Sequence, residues 1–202
     1  MSIFNHAGLR AFFAGRRRFQ LAWIFAFLLI LSARHYPSTF GVIICFLGAS
    51  IRFCSSGFLR KEAKLAVGGP YQFTRNPLYL GTFIMAMGAT LSVGAYLLAL
   101  VMGLVFFLNY HYVIEHEEKK LPSYFGENYL LYCSLVPRFW PRLSAPPHDE
   151  LLKINADPEV YSFNFELAKN NKAFEAYFSF IGIILGMILL VWIKHSVING
   201  IH

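Results

Sequence analysis

The sequence predicts an all-α protein, a bundle of about five membrane-crossing helices with its polar segments gathered at one membrane face. Three observations carry that reading. Of 202 residues, 56% are hydrophobic and only 14% are charged, whereas a soluble domain carries about 25% charged residues. The charges leave five apolar windows nearly untouched, near 19–33, 38–56, 78–93, 95–114 and 176–193. Lys and Arg, finally, fall almost entirely into alternate connecting segments.

Residues 1–18 place Ile3, Phe4, Ala7 and Ala11 on roughly one helical face beside Phe12 and Phe13, then end in Arg16, Arg17 and Arg18. That pattern predicts an amphipathic segment lying in the interface. The first two windows are joined by a short turn around Arg34-His35-Tyr36-Pro37, and a basic loop follows over 57–77. The third and fourth windows form one block of 37 residues, 78–114. As a single helix it would be about 55 Å long, well beyond a hydrocarbon core of about 30 Å. The block therefore folds back, and Ser92-Val93-Gly94-Ala95 is the expected turn, with Gly94 free to take positive φ. Residues 115–175 are the longest polar stretch. Their second half carries Asp157-Pro158-Glu159, a helix-start signal that predicts an amphipathic helix over about 158–170 resting at the interface. The expected organisation is an interfacial segment at 1–18, a membrane core at 19–141, and a connector with a last span at 142–202.

Placing the N-terminus inside puts 15 Lys and Arg residues on the inner side and two, Arg34 and Lys194, on the outer side. This bias predicts a multi-pass protein, N-in and C-out. The net charge of +7 then reports topology and calls for no nucleic-acid partner. Anionic lipids at the cytoplasmic face are natural neighbours of so basic a surface. Arg52 is the exception, a charge inside the second window, where intramembrane charges are either snorkelling or functional. Cys45, Cys54 and Cys133 show no metal or disulfide spacing, and His111 and His116, five apart, do not share a helical face. No metal is expected.

The stretch GGPYQFTRNPLYLG, residues 68–81, stands where the third span begins. Broken backbone at membrane depth is tolerated only when buried in protein or lining a cavity. Pro77 suits a first helical turn, and Thr74 or Asn76 is a candidate cap. The free amides of such a start, with Arg75 beside them, attract a carboxylate or phosphate. By itself the stretch also reads as a capped helix start with an arginine among the headgroups. Downstream, Glu115, Glu117 and Glu118 end the fourth window, and Tyr124, Phe125, Tyr129, Tyr132, Phe139 and Trp140 follow. Carboxylates hold hydroxyls or amines, and aromatic rings attract cations, although both also suit an ordinary interface.

In order and spacing, Arg75-Asn76-Pro77-Leu78-Tyr79-Leu80-Gly81, then Glu117-Glu118-Lys119-Lys120-Leu121, Phe125-Gly126, Tyr129, Tyr132 and Val136-Pro137-Arg138-Phe139 form a set. It resembles the isoprenylcysteine carboxyl methyltransferase family, its prokaryotic relatives and the similar phospholipid methyltransferases, over about residues 40–141. The resemblance implies an S-adenosylmethionine-dependent membrane methyltransferase without a Rossmann domain, in the cytoplasmic membrane of a prokaryote. Its acceptor would be a lipophilic small molecule or lipid (a carboxylate, thiol or amine) entering from the bilayer. Carried over by position, Arg75, Glu118 and Arg138 are the catalytic candidates. Asn76, Pro77, Tyr79, Gly81, Glu117, Glu118, Tyr129, Tyr132 and Pro137 are the cofactor-binding candidates. The chain departs from the family at Asn76, where a histidine is usual; asparagine hydrogen-bonds but is no base near neutral pH. Two alternatives stay open on the sequence: an NADPH-dependent enzyme similar to the sterol reductases, and a non-enzymatic lipid-binding protein.

Overall fold

A computed structural model describes residues 17–60 and 64–199. The interfacial segment expected over 1–18 falls almost wholly outside them. Among the described residues there are eight α-helices and no strand: α1 (Arg17–Ser32), α2 (Thr39–Ser56), α3 (Pro77–Ser92), α4 (Tyr96–Glu118), α5 (Leu121–Leu135), α6 (His148–Ile154), α7 (Phe165–Asn170) and α8 (Phe174–Asn199). The five apolar windows are thus five helices in the expected order. By length and composition α2, α4 and α8 are long enough to cross a membrane, while α3 and the described apolar part of α1, Trp23–Ser32, are shorter.

The fold-back falls where the block length required it. Helix α3 ends at Ser92, α4 starts at Tyr96, and Gly94 takes φ +66°. At that end the Ser38 amide donates to Ser92 O at 2.8 Å, and Lys194 Nζ donates to Leu31 O and Ala33 O at 3.1 and 2.9 Å. The loops after α1 and α3 therefore meet the end of α8 at one pole. The basic loop, α5 and residues 136–172 gather at the other.

The closest helix pair is α2 with α3, and glycines make it. A β-carbon on Gly48 would overlap the Met85 backbone nitrogen, and one on Gly88 would overlap Cys45 N. Small residues at such crossings let helices pack where lipid supplies no hydrophobic drive between them. Leu29, Cys45, Ala49, Met85, Met187 and Val191 are buried in the resulting membrane core. The opposite faces stay apolar and uncovered, as at Trp23, Phe27, Phe40, Leu97, Leu104 and Trp192, which suits a hydrocarbon solvent.

A second core sits at the polar pole. Val67, Tyr129, Tyr132, Leu151, Ile154 and Val160 bury one another, so the segment after 142 packs against α5 and the basic loop. The helix expected over 158–170 is also broken. Asp157 does cap as predicted, accepting from the Glu159 amide at 2.9 Å, but Pro158–Tyr161 is only a 3-10 turn. Ser162 and Asn164 are extended before α7 starts, because Val160 turns inward into the second core and no single straight helix could also deliver α7 to the end of α2. There Asn171 Nδ2 donates to Ser56 O and Leu59 O at 2.9 and 2.7 Å, closing the last carbonyls of α2.

Candidate functional site

The site is assembled between the two cores, where α3 begins and α4 ends. The loop before α3 is held by the chain after α5. The Arg75 amide donates to Pro137 O at 2.9 Å, the Arg142 amide to Phe73 O at 3.0 Å, and buried Thr74 donates through Oγ1 to Phe139 O at 2.9 Å. Tyr132 Oη donates to Tyr71 O at 2.7 Å. Residues 71–76 and 136–142 are thereby stitched into one wall, which brings Arg75 and Arg138 to the same place. Asn76 occupies the N-cap position of α3, but its side chain makes no capping bond. Its Nδ2 donates instead to Arg138 O at 2.9 Å and to Glu118 Oε1 at 3.4 Å.

Helix α4 runs unbroken past the membrane window to Glu118, as the acidic motif required. Glu118 is the centre of the cluster. Its Oε2 lies 2.7 Å from Arg138 Nη2, and its Oε1 lies 3.4 Å from Arg75 Nε. The Glu118 and Arg75 side chains are 11% and 12% exposed, while Arg138 is 44% exposed. Ion pairs this shielded are screened far less than surface ones. The Arg75–Glu118 pair is close but poorly aligned, since Arg75 Nε is buried without a hydrogen-bond partner. Glu117 turns to another neighbour, accepting from Tyr79 Oη at 2.7 Å, and Glu115 pairs with Lys119 at 2.7 Å.

Tyr129 is 3% exposed, and its buried hydroxyl has no nitrogen or oxygen partner, only the weak Cys133 thiol beside it. Burial first, and then the nearby charge of Glu118, push this phenol far above its ordinary range. Burial does the same to Tyr132 and Tyr71. All three stay protonated near neutral pH, so they are donors and not bases. An orphan buried hydroxyl costs free energy on the order of 1–3 kcal/mol. Tyr129 Oη and Arg75 Nε, the latter ion-paired at 3.4 Å without hydrogen-bond alignment, are two poorly satisfied donors beside one carboxylate.

Next to the charges lies an apolar cavity of about 330 Å³ between α4 and residues 137–140, walled by Phe106, Phe107, Tyr110, Arg138, Phe139 and Trp140. Rings at Tyr79 and Tyr110 are 4.6 Å apart, and Phe83 meets Phe106 at 4.9 Å. Phe107 and Trp140 are also exposed on the outer side of the bundle, so this wall is open at the surface.

Of the residues singled out from sequence, Arg75, Asn76, Glu118 and Arg138 meet in one cluster, with Tyr129 beside it. Tyr79 and Glu117 form the rim and Pro137 lines the cavity. Three are elsewhere. Gly81 faces α2, where a β-carbon would stand 2.7 Å from Gly48 O and from Arg52 Cγ. Pro77 is fully buried at the helix start, and the Tyr132 hydroxyl is occupied by Tyr71 O. Sequence reading did not pick Phe106, Phe107 and Tyr110 for the site, although they lie at i, i+1 and i+4 on the helix that ends in Glu117 and Glu118. Among the described residues no group of three or more His, Cys, Asp or Glu gathers to hold a metal.

Comparison with known proteins bears on the same part of the chain. Residues 42–128 match the family described as phospholipid methyltransferase. A nickel-cobalt-cadmium resistance protein, NccN, of Alcaligenes xylosoxydans xylosoxydans is 32% identical over 67% of this chain and 60% of its own length. Protein-S-isoprenylcysteine O-methyltransferase of Schizosaccharomyces pombe is 35% identical over 38% of this chain and 33% of its own length. A cobalt-zinc-cadmium resistance protein, CzcN, of Cupriavidus metallidurans is 31% identical over 64% of this chain and 56% of its own length. The matches thus span a third to three fifths of these relatives. No solved structure matches. With the helical hairpin, the Arg75 motif and the Glu117-Glu118 helix end all inside or beside the matched stretch, residues 42–128 resemble the phospholipid methyltransferase family, and part of the chain is similar to an isoprenylcysteine O-methyltransferase.

Proposed function

We propose that the protein is an S-adenosylmethionine-dependent methyltransferase acting on a lipophilic acceptor that enters from the bilayer. The observation that carries this is the Arg75–Glu118–Arg138 cluster with the poorly satisfied Tyr129 hydroxyl, set against an aromatic cavity. Those residue types fit the cofactor. Two arginines suit its carboxylate, Glu118 its ammonium or ribose hydroxyls, Tyr129 a lone pair, and the cavity's rings the adenine and the cationic sulfonium. Bound there, the cofactor would supply an electrophilic methyl group.

The chain's own part is placement and dryness. Arg75 and Arg138 carry their charge next to a low-dielectric wall, where it acts more strongly than in water. Phe139 and Trp140 exclude water from the cavity, and holding two reactants together contributes up to about 7–11 kcal/mol to such a reaction. Asn76 moves no proton. It fixes the loop by donating to Arg138 O. An acceptor that is already a carboxylate or thiolate needs no base. For an amine, Glu117 is the better proton acceptor, because both Glu118 oxygens face arginines whereas Glu117 stands on the rim with Tyr79.

Calorimetry on the purified protein tests the reading. S-adenosylmethionine is expected to bind saturably, and Arg75→Ala to weaken it by at least about tenfold. Binding of NADPH in its place would overturn the assignment. Labelled methyl donor given to membranes with and without the protein then identifies the acceptor by mass spectrometry of the lipids.

A further inference from the structure

Helix α3 has a second occupied flank. Tyr79 and Phe83 look toward α4 and the aromatic cavity, but Leu78 and Thr82 look the other way, toward α2. There stands Arg52, the one charge in α2. Its Nη1 donates to Leu78 O at 3.3 Å and to Thr82 Oγ1. Its Nε is buried and has no partner. Beside it is a polar cavity of about 180 Å³, to which Ser56, Asn171, Lys172 and Glu175 also contribute. Ser56 Oγ is committed to Arg52 O, and Asn171 Nδ2 to the end of α2. Arg52 Nε is left to meet a ligand, and at the rim the exposed Lys172 pairs with the exposed Glu175 at 3.4 Å.

We infer that this cavity binds the phosphodiester group of a glycerophospholipid, at a site separate from the reaction pocket. Three features select that chemistry. A charged side chain within an apolar span is costly unless partnered, and a guanidinium pairs with phosphate oxygens through several donors at once. Two cations against one carboxylate leave one net positive charge in the lining, which matches a singly charged phosphodiester better than a phosphate dianion. The cavity also lies at the end of α2 and the start of α8, next in the chain to Phe53 and Phe174, whose rings are 5.3 Å apart. Rings of that kind favour the level of the headgroups. The inference does not depend on the proposed methyl transfer.

The test uses the purified full chain in detergent, with dihexanoylphosphatidylglycerol, dihexanoylglycerol and inorganic phosphate as probes and titration calorimetry as readout. The phospholipid is expected to bind saturably, and dihexanoylglycerol at least about tenfold more weakly, because the phosphate contact is charge-assisted. Arg52→Gln abolishes the difference between the two lipids. Lys172→Gln changes an exposed side chain that the fold does not need, and still weakens the phospholipid by about threefold or more. Arg138→Gln, in the other pocket, leaves phospholipid binding unchanged. Inorganic phosphate binding as tightly as the lipid would overturn the choice of a phosphodiester and make soluble phosphate the ligand. Equal binding of dihexanoylglycerol, undiminished binding by Lys172→Gln, or loss on Arg138→Gln overturns the inference.

Discussion

Glu118 and Tyr129 make opposite use of burial, and two substitutions separate them. Removing the Glu118 charge leaves Arg75 shielded and without its anion, while Arg138 is already half in water. A fully buried charge left alone costs about 3–5 kcal/mol, and an exposed pair contributes about 0–1 kcal/mol. Glu118 lies between these limits, so Glu118→Gln should cost about 2 kcal/mol in detergent unfolding, and Arg138→Gln less than about 1 kcal/mol. Tyr129→Phe should do the reverse. It removes a buried hydroxyl with no nitrogen or oxygen partner and should leave stability unchanged or raise it by up to about 1 kcal/mol. Under the proposed function, the same change weakens S-adenosylmethionine by about tenfold, the value of one hydrogen bond to a charged group. Thermal melts with and without the cofactor read both effects. A Tyr129→Phe protein that is less stable and binds equally well would show the hydroxyl to be structural. The residue types of this cluster were legible in the sequence, because charges and tyrosines beside an apolar window are conspicuous. Their meeting was not, since Arg75 and Arg138 are brought together by the Thr74 hydroxyl, the Arg75 amide and the Asn76 side-chain amide donating to carbonyls of residues 137–139, and by the Glu118 carboxylate they share.

Helices α2 and α3 set the separation on which both cavities depend, and their glycines are the sensitive points. At Gly48 the obstacle to a methyl group is the Met85 backbone, which cannot rotate away. Gly48→Ala should therefore cost more than the about 1–3 kcal/mol of ordinary overpacking. Gly103 on α4 has open space where a side chain would go, so Gly103→Ala should be tolerated, with a gain of up to about 1 kcal/mol from helix propensity. Unfolding midpoints of the two variants check the contrast. Gly81 was read from sequence as a pocket residue because it follows the Arg75 motif; it belongs to this crossing, and the small-residue spacing from Gly81 to Gly88 was the unused signal. The connector after 142 shows the same division between packing and charge. Asp157 and Glu159 clasp Lys64, both partners holding the Asp157 carboxyl below its ordinary 3.8 and the Lys64 ammonium above its ordinary 10.5. Asp157 stabilises above its unfolded pKa and loses that as pH falls through the lower folded one. Lys64 stabilises below its unfolded pKa and loses that as pH rises through the higher folded one. The clasp is thus constant between about pH 5 and 9, and lying at the surface it contributes little. Val160, wholly buried in the second core, matters more: Val160→Ala should cost about 1–3 kcal/mol and loosen proteolytic protection of the connector, where Lys64→Gln does neither.

The molecule as a whole has two poles, and charge distinguishes them. Arg34 and Lys194 stand at the pole where Gly94 turns the hairpin, while Arg60, Lys64, Arg75, Lys119, Arg138 and Lys172 stand with the site and the second core. The asymmetry was legible because counting Lys and Arg needs no tertiary information. The second core was not, because Leu151, Ile154 and Val160 lie in a polar stretch without helical or strand period, and only packing reveals their common side. If the excess of Lys and Arg sets orientation, the site pole faces the cytoplasm, as a pocket fed by a soluble cofactor requires. Two single-cysteine variants decide this, with Cys45, Cys54 and Cys133 replaced. Glu159 is exposed at the site pole and Ser196 is exposed at the other. In intact cells a membrane-impermeant maleimide should label Ser196→Cys and spare Glu159→Cys, and inverted vesicles should give the reverse. Both sites labelled from the same side would mean that α8, the helix between them, does not cross the membrane. Glu159→Cys labelled alone in intact cells would put Arg75, Glu118 and Tyr129 outside the cell, away from any intracellular methyl donor.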